Sequence, residues 1–60
     1  MKVGDLVKVR YRHDRRWYTL LLLEEVKLSS IMWKGWCSET GSEHLFSPRR
    51  DEVEILNESR

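Results

Sequence analysis

The sequence predicts a small all-β domain of five short strands closed into a barrel. Residues 6–12 alternate between apolar and basic side chains, as expected for a half-buried strand. Turn residues recur between the apolar segments, at Gly4-Asp5, Asp14 and Gly41. Ser47-Pro48 begins a short helical turn before the last apolar stretch. Together these three observations indicate short strands joined by tight connections.

The five strands are predicted from segments rich in β-branched and aromatic residues that turn residues bound. We expect them at residues 6–12, 17–26, 31–37, 44–46 and 53–56. Gly35 lies inside the third segment, where a glycine indicates a bulge or a close approach of two backbones. Closure into a barrel would limit the exposed edges of so small a sheet.

The second strand is apolar on both faces in its middle. One face carries Trp17, Thr19, Leu21 and Leu23, and the other carries Tyr18, Leu20, Leu22 and Val26. The leucine run also has high helix propensity. A strand is favoured because no capping box precedes the run and β-enriched residues do. Such a strand needs cover on both sides, from a second sheet or from another chain.

A 3-10 turn is expected over residues 47–52, before the last strand. Ser47 offers a capping oxygen, Pro48 fits the first helical position, and acidic residues follow closely. Residues 1–56 are expected to form one domain, because sixty residues allow no second one. Residues 57–60 are expected to be a frayed tail.

Cysteine and histidine content argues against a disulfide or a metal as the source of stability. Cys37 is the only cysteine, and with His13 and His44 it gives three potential zinc ligands without paired spacing. We therefore expect no metal and no other cofactor. No apolar run is long enough for a membrane span or a signal peptide, so we expect a soluble, cytoplasmic protein without membrane contacts.

Charge is unevenly distributed, although the formal net charge is only +1. Residues 1–16 carry a local net charge of +4 and residues 39–60 one of −3. In a barrel whose ends meet, the two segments are expected to neutralise each other. Residues 10–16, here called the basic hairpin, also lie beside Trp17 and Tyr18. Arginines bind phosphates and aromatic rings stack on bases, so this combination suits a nucleic acid. The candidate nucleic-acid contacts are Arg10, Arg12, Arg15, Arg16 and Trp17.

Aromatic side chains are expected to form much of the core. Trp33 and Trp36 lie on opposite faces of the third strand, so one of them must lie at a surface. We expect Trp33 inside and Trp36 exposed, and an exposed tryptophan is a frequent anchor of protein contacts. The candidate partner contacts are Trp36, Leu20, Leu22 and Tyr18.

No constellation of residues indicates catalysis. Cys37 and His44 could approach each other across the turn at Gly41, but the pair lacks an orienting group and an oxyanion hole. The adjacent acids Glu24-Glu25 and Asp51-Glu52 do not share a strand face. We therefore expect no enzymatic activity and no small-molecule substrate.

The chain resembles SH3-like barrels in several motifs. Its opening is similar to that of many such barrels, including the KOW and Tudor-like types: Val3-Gly4-Asp5-Leu6-Val7-Lys8-Val9. The second half of the pattern is similar at Trp33, Gly41 and Pro48-Arg49-Arg50-Asp51-Glu52-Val53-Glu54-Ile55. Over residues 2–56 the chain resembles very short SH3-like proteins of tailed bacteriophages, many from marine cyanobacterial phages. The resemblance implies an SH3-like barrel and a phage origin, without a mechanism.

These observations favour a small non-catalytic binding module. Its expected partner is a protein or a second copy of the chain. The second strand is apolar on both faces, and one tryptophan of the third strand lies at a surface, so both need to be covered. A phage or bacterial accessory role is what the resemblance implies. The alternative is a nucleic-acid-binding accessory protein that uses the basic hairpin.

Overall fold

The computed structural model describes residues 1–57, which form five antiparallel strands in one sheet. The strands are β1 (Leu6–Arg10), β2 (Tyr18–Lys27), β3 (Ile31–Cys37), β4 (Ser42–Phe46) and β5 (Glu52–Asn57). Their order across the sheet is β4-β3-β2-β1-β5. Residues 1–57 contain no helix, and hence none that could cross a membrane. The predicted all-β class is confirmed.

The strand limits agree with the sequence pattern, with differences at the ends. The third predicted strand, residues 31–37, has the limits of β3. β1 ends at Arg10, earlier than predicted, so residues 11–17 form a long β1–β2 connection. β5 includes Asn57, which pairs with Leu6, so residue 57 does not belong to a tail. Residues 58–60 of the predicted tail lie outside the described residues.

The core lies on one side of the sheet and is formed by alternate residues of the strands. Its buried apolar residues are Val7, Val9, Leu20, Leu22, Trp33, Cys37 and Phe46. Val53 of β5 packs against them and is partly buried. Burial of one large apolar side chain contributes about 1.5–3 kcal/mol, so this small set is the main source of folding free energy.

β2 pairs with β1 over its first half and with β3 over its second half. The β2–β3 register shifts between Leu22 and Glu24, which leaves Leu23 without a partner in the ladder. Opposite this bulge, Gly35 pairs with Leu22. A Cβ atom at position 35 would lie 2.8 Å from the Cβ of Leu20. Of the two alternatives predicted from Gly35, the close approach is present at Gly35 itself, and the bulge lies opposite it in β2.

Residues 47–51 form a hydrogen-bonded turn, and not the 3-10 helical turn that was expected. The Ser47 carbonyl accepts the N–H groups of Arg50 at 3.1 Å and of Asp51 at 2.8 Å. The capping oxygen belongs to Asp51 and not to Ser47: Asp51 Oδ2 accepts the Ser47 N–H at 3.0 Å. Asp51 Oδ1 accepts the Arg12 N–H at 3.1 Å. The buried Asp51 carboxylate therefore fixes this turn to the β1–β2 connection.

Candidate interaction surfaces

An apolar row crosses the face of the sheet that points away from the core. The strand register places Leu6 of β1 beside Leu21 of β2, and Leu21 beside Trp36 of β3. Leu21 is 42% exposed and Trp36 is 43% exposed, whereas Leu6 is partly buried. Side chains directly opposite each other on adjacent strands have Cβ atoms about 4.5–5.5 Å apart. The three residues therefore form one continuous apolar surface, here called the outer row.

Charged side chains near the outer row are paired with one another. Lys34 Nζ lies 3.7 Å from a carboxylate oxygen of Glu24 and 3.8 Å from one of Glu43. Arg10 Nε donates to Glu52 Oε2 at 3.1 Å, and this bond, with the charge of Glu52, raises the pKa of Arg10. The Arg10–Glu52 pair joins the basic N-terminal segment to the acidic C-terminal one, as the charge distribution predicted. Arg10 and Glu52 therefore balance each other, whereas Lys34 faces two carboxylates, so these five side chains carry a net charge of −1.

Of the four predicted partner contacts, only Trp36 lies in the outer row. Leu20 and Leu22 are 0% and 1% exposed, so neither can contact a partner in this fold. The register with β1 and β3 directs the even-numbered residues of β2 that precede the bulge toward the core. Tyr18 lies on the same side and packs partly against the core. The neighbour of Trp36 is Leu21, which sequence reasoning missed because only the strand register identifies it.

The two tryptophans of β3 lie as expected. Trp33 is 5% exposed and belongs to the core, whereas Trp36 is exposed on the opposite face. Trp33 also borders a surface cleft of about 490 Å³, whose other walls include Pro48 and Glu25. The tryptophan of β3 that the core does not enclose is therefore Trp36.

Three aromatic rings pack together beside the core. The ring centroids of Tyr11, Tyr18 and His44 lie 5.5 to 6.0 Å apart. The Tyr11 hydroxyl lies 2.9 Å from His44 Nδ1, and Thr40 Oγ1 lies 2.9 Å from His44 Nε2. Burial, reinforced by the charge of Asp51, raises the pKa of Tyr11 to about 12. Tyr11 and Tyr18 also pack against the core, so the cluster is part of the packing of the fold.

Several of the predicted nucleic-acid contacts are engaged within the protein. Arg10 is paired with Glu52, and its Cζ lies 5.7 Å from the centroid of the Trp17 ring. Arg16 lies 3.4 Å from Glu39, and its Cζ lies 5.2 Å from the Tyr18 ring centroid. Each of these side chains would have to give up a contact before it could bind a nucleic acid.

Arg12 and Arg15 are the predicted nucleic-acid contacts that form no ion pair within residues 1–57. Arg12 borders a cleft of about 560 Å³ between the β1–β2 connection and the turn at residues 47–51. This hairpin–turn cleft is lined by Tyr11, Arg12, His13, Asp14, Arg50 and Asp51. Sequence reasoning missed Arg50, because it lies in the acidic C-terminal segment and only the fold brings it to the hairpin.

Metal-ligating residue types do not cluster in the described part of the chain. No group of three or more His, Cys, Asp or Glu side chains there could hold a metal ion. Cys37 is buried with a free thiol, and both ring nitrogens of His44 are hydrogen-bonded. The surfaces that remain for a functional role are the outer row and the clefts.

Comparisons with known proteins give no further guidance. The chain matches no model of a known protein family, no curated protein and no solved structure. Function is therefore inferred from the geometry and chemistry of the outer row and the hairpin–turn cleft.

Proposed function

We propose that this protein is a small non-catalytic binding module that pairs with a second copy of itself through the outer row. The observation that carries the proposal is the exposure of Leu21 and Trp36, at 42% and 43%, side by side in the middle of the sheet. Burial of apolar surface contributes about 25 cal/mol per Å², and tryptophan is a frequent interface anchor. A partner that covers this row would be stabilised by both effects.

A second copy is the occupant that fits the surroundings of the row. The neighbouring charges are paired within one chain, Lys34 with Glu24 and Glu43 and Arg10 with Glu52, and their net charge is only −1. Two copies of this face therefore repel each other only weakly, whereas a strongly charged partner would meet no matching charge of opposite sign. Symmetric pairing of identical surfaces is also the commonest form of self-association.

The position of β2 makes the row self-complementary. β1 and β3 flank β2 on opposite sides. A two-fold axis parallel to β2 would place Leu21 against Leu21 of the second copy, and Trp36 against its Leu6. A standard interface buries about 800 Å² per partner, or roughly a fifth of the 4367 Å² that the chain exposes. The face of a five-stranded sheet, with its charged rim, can supply such a surface.

The test is the mass of the protein in solution, measured by light scattering over a concentration series. We expect the wild-type chain to approach the mass of two copies and Leu21→Lys to keep the mass of one. Leu28→Lys is the matched control, because Leu28 is 68% exposed but lies in the β2–β3 connection, away from the row. Circular dichroism would confirm that both variants fold. A wild-type mass of one copy up to about 1 mM would contradict the proposal, since weaker association is too weak to matter.

The fold and origin proposed with this function are an SH3-like barrel and a phage or bacterial accessory protein. The order β4-β3-β2-β1-β5 and the bulge in β2 support the barrel, because a bulge bends a strand that pairs with β1 at one end and β3 at the other. The motif resemblance supports the origin. A gene neighbourhood without phage functions would argue against the phage role.

A second candidate function is nucleic-acid binding by the hairpin. It is favoured by Arg12 and Arg15, whose side chains form no ion pair within the described residues. Titration with single- and double-stranded oligonucleotides at two salt concentrations tests it, because binding driven by phosphates weakens steeply as salt rises. Absence of binding at low salt would remove this candidate.

A further inference from the structure

The fold brings basic side chains from two remote segments to the hairpin–turn cleft. Arg12 and His13 belong to the β1–β2 connection, and Arg50 belongs to the turn before β5. Asp51 holds the two segments together through the N–H groups of Arg12, at 3.1 Å, and Ser47, at 3.0 Å. Because Asp51 is only 5% exposed, this connection between the two walls of the cleft is largely shielded from water.

The carboxylates that border the cleft are already satisfied by the protein. Asp51 accepts the two backbone N–H groups and contacts Arg50 at 3.4 Å. Asp14 Oδ1 accepts the Arg16 N–H at 2.9 Å, and Asp14 Oδ2 accepts the Tyr18 hydroxyl at 3.1 Å. The hydrogen bond from the Arg16 N–H is the largest cause that lowers the pKa of Asp14, and the bond from the Tyr18 hydroxyl lowers it further. The guanidinium of Arg12, by contrast, has no hydrogen bond within residues 1–57 and remains available.

We infer that the hairpin–turn cleft binds a phosphate group. The planar guanidinium of Arg12 offers a fork of donors that matches two phosphate oxygens. Arg50 is held by Asp51 through Nε and Nη2 and offers only its remaining donors, and His13 borders the cleft as well. The formal charges of Arg12, Arg50, Asp14 and Asp51 balance, so binding depends on donor geometry more than on net charge. We therefore expect weak binding of free phosphate, with a dissociation constant on the order of 1 mM.

The phosphate group could be free, or it could belong to a nucleic-acid strand, and the same chemistry recognises both. The site does not depend on the proposed pairing through the outer row, and it narrows the nucleic-acid candidate to one cleft. Arg15 lies in the same segment as Arg12 and forms no ion pair within the described residues, so it offers a further contact to a nucleic-acid strand that extends beyond the cleft.

The first experiment titrates isotope-labelled protein with inorganic phosphate and follows the backbone amide resonances. We expect saturable shifts centred on Arg12, His13 and Arg50. Arg12→Gln should weaken binding about tenfold or more, because a hydrogen bond to a charged group is lost. The substitution keeps the backbone N–H that Asp51 accepts, so the fold should be retained. Lys27→Gln, an exposed cation at the end of β2 and outside the cleft lining, is the matched control and should bind as the wild type does.

The second experiment repeats the titration with a single-stranded oligonucleotide at several salt concentrations. If the phosphate belongs to a strand, the oligonucleotide should bind more tightly than inorganic phosphate, and Arg12→Gln should reduce the salt slope by about 0.7. If both bind equally in the cleft, the site serves free phosphate or a small phosphorylated ligand. Shifts that do not saturate, or an equal loss in Arg12→Gln and Lys27→Gln, would overturn the inference.

Discussion

Gly35 shows how one residue sets the distance between two strands. A Cβ atom there would lie 2.8 Å from the Leu20 Cβ, 3.2 Å from the Leu20 Cδ1 and 3.3 Å from the Leu21 carbonyl oxygen. Leu20 is 0% exposed and cannot move aside into solvent. The absence of a side chain at position 35 therefore allows Leu20 to fill the core against β3. The sequence signal for this contact was a glycine within an otherwise β-enriched segment.

Gly35→Ala is predicted to destabilise the protein by about 1–3 kcal/mol, because overpacking forces the neighbouring strand or side chain to shift. Chemical unfolding monitored by tryptophan fluorescence would measure the change. Gly41→Asn is the control: Gly41 has a φ of 68° with no atom within 4 Å of an added Cβ, and asparagine tolerates this conformation. A Gly35→Ala protein as stable as the wild type would refute the close packing.

The sequence did not show which arginines of the basic hairpin are paired with carboxylates. Arg10, Arg12, Arg15 and Arg16 look equivalent in the sequence, and the structure divides them into two engaged and two available side chains. The division depends on strand register and connection geometry, as Arg10 meets Glu52 only because β1 pairs with β5. No local pattern carries that information.

At the scale of elements, local sequence patterns predicted the strands, but they did not predict the hydrogen bonds that hold the connections. β1 was recognised because apolar and basic residues alternate along it, and β3 because turn residues bound a segment rich in β-branched and aromatic residues; in both strands the buried residues recur with period two. The two apolar faces of β2 were recognised, but choosing the core face required the pairing with β1 and β3. The turn at residues 47–51 was located correctly. Its cap was not, because the Asp51 carboxylate replaces the expected Ser47 oxygen.

Asp51 connects two elements, and its substitution is predicted to make them separate more easily. Burial opposes ionisation of this carboxyl, but the hydrogen bonds from Ser47, Arg50 and Arg12 outweigh it and hold its pKa below the ordinary value of 3.8. The stabilisation that they provide is therefore fully present above pH 3.8 and is lost as the pH falls through the lower folded-state pKa.

Asp51→Asn is expected to cost about 1–3 kcal/mol at neutral pH, because a buried donor loses its charged acceptor. The difference from the wild type should shrink in acid, where the wild-type carboxylate is protonated as well. Unfolding free energies measured across the acid range would show this convergence. Glu54→Gln, an exposed carboxylate of β5, should leave the neutral-pH stability unchanged. A difference between Asp51→Asn and the wild type that is constant with pH would refute the assigned role.

At the scale of the whole molecule, the two candidate surfaces share no residue. The outer row lies on the face opposite the core, and the hairpin–turn cleft lies where the β1–β2 connection meets the turn before β5. The fold class and the number of strands were predictable from the sequence, because the period of apolar residues and the choice of turn residues are properties of short segments. The cleft was not, because its walls come from opposite ends of the chain and meet only after β5 pairs with β1.

Self-association predicts that thermal stability depends on protein concentration. A chain of sixty residues buries only about 60% of the surface that it exposes when unfolded, so an interface would add substantially to its stability. An increase in concentration of about tenfold should raise the wild-type unfolding midpoint by a few degrees. Differential scanning calorimetry would measure it. Leu21→Lys should unfold at a midpoint independent of concentration, and Leu28→Lys should follow the wild type.

The hydrogen bond between Asp51 and the Arg12 N–H gives a structural role to the main chain of Arg12 and none to its side chain. The main chain of Arg12 supplies the N–H that Asp51 accepts, and its side chain forms no hydrogen bond or ion pair in residues 1–57. Every amino acid except proline provides that N–H. Position 12 can therefore change its chemistry through evolution or by design without loss of this tie, and it is a natural place to give the same scaffold a different ligand preference.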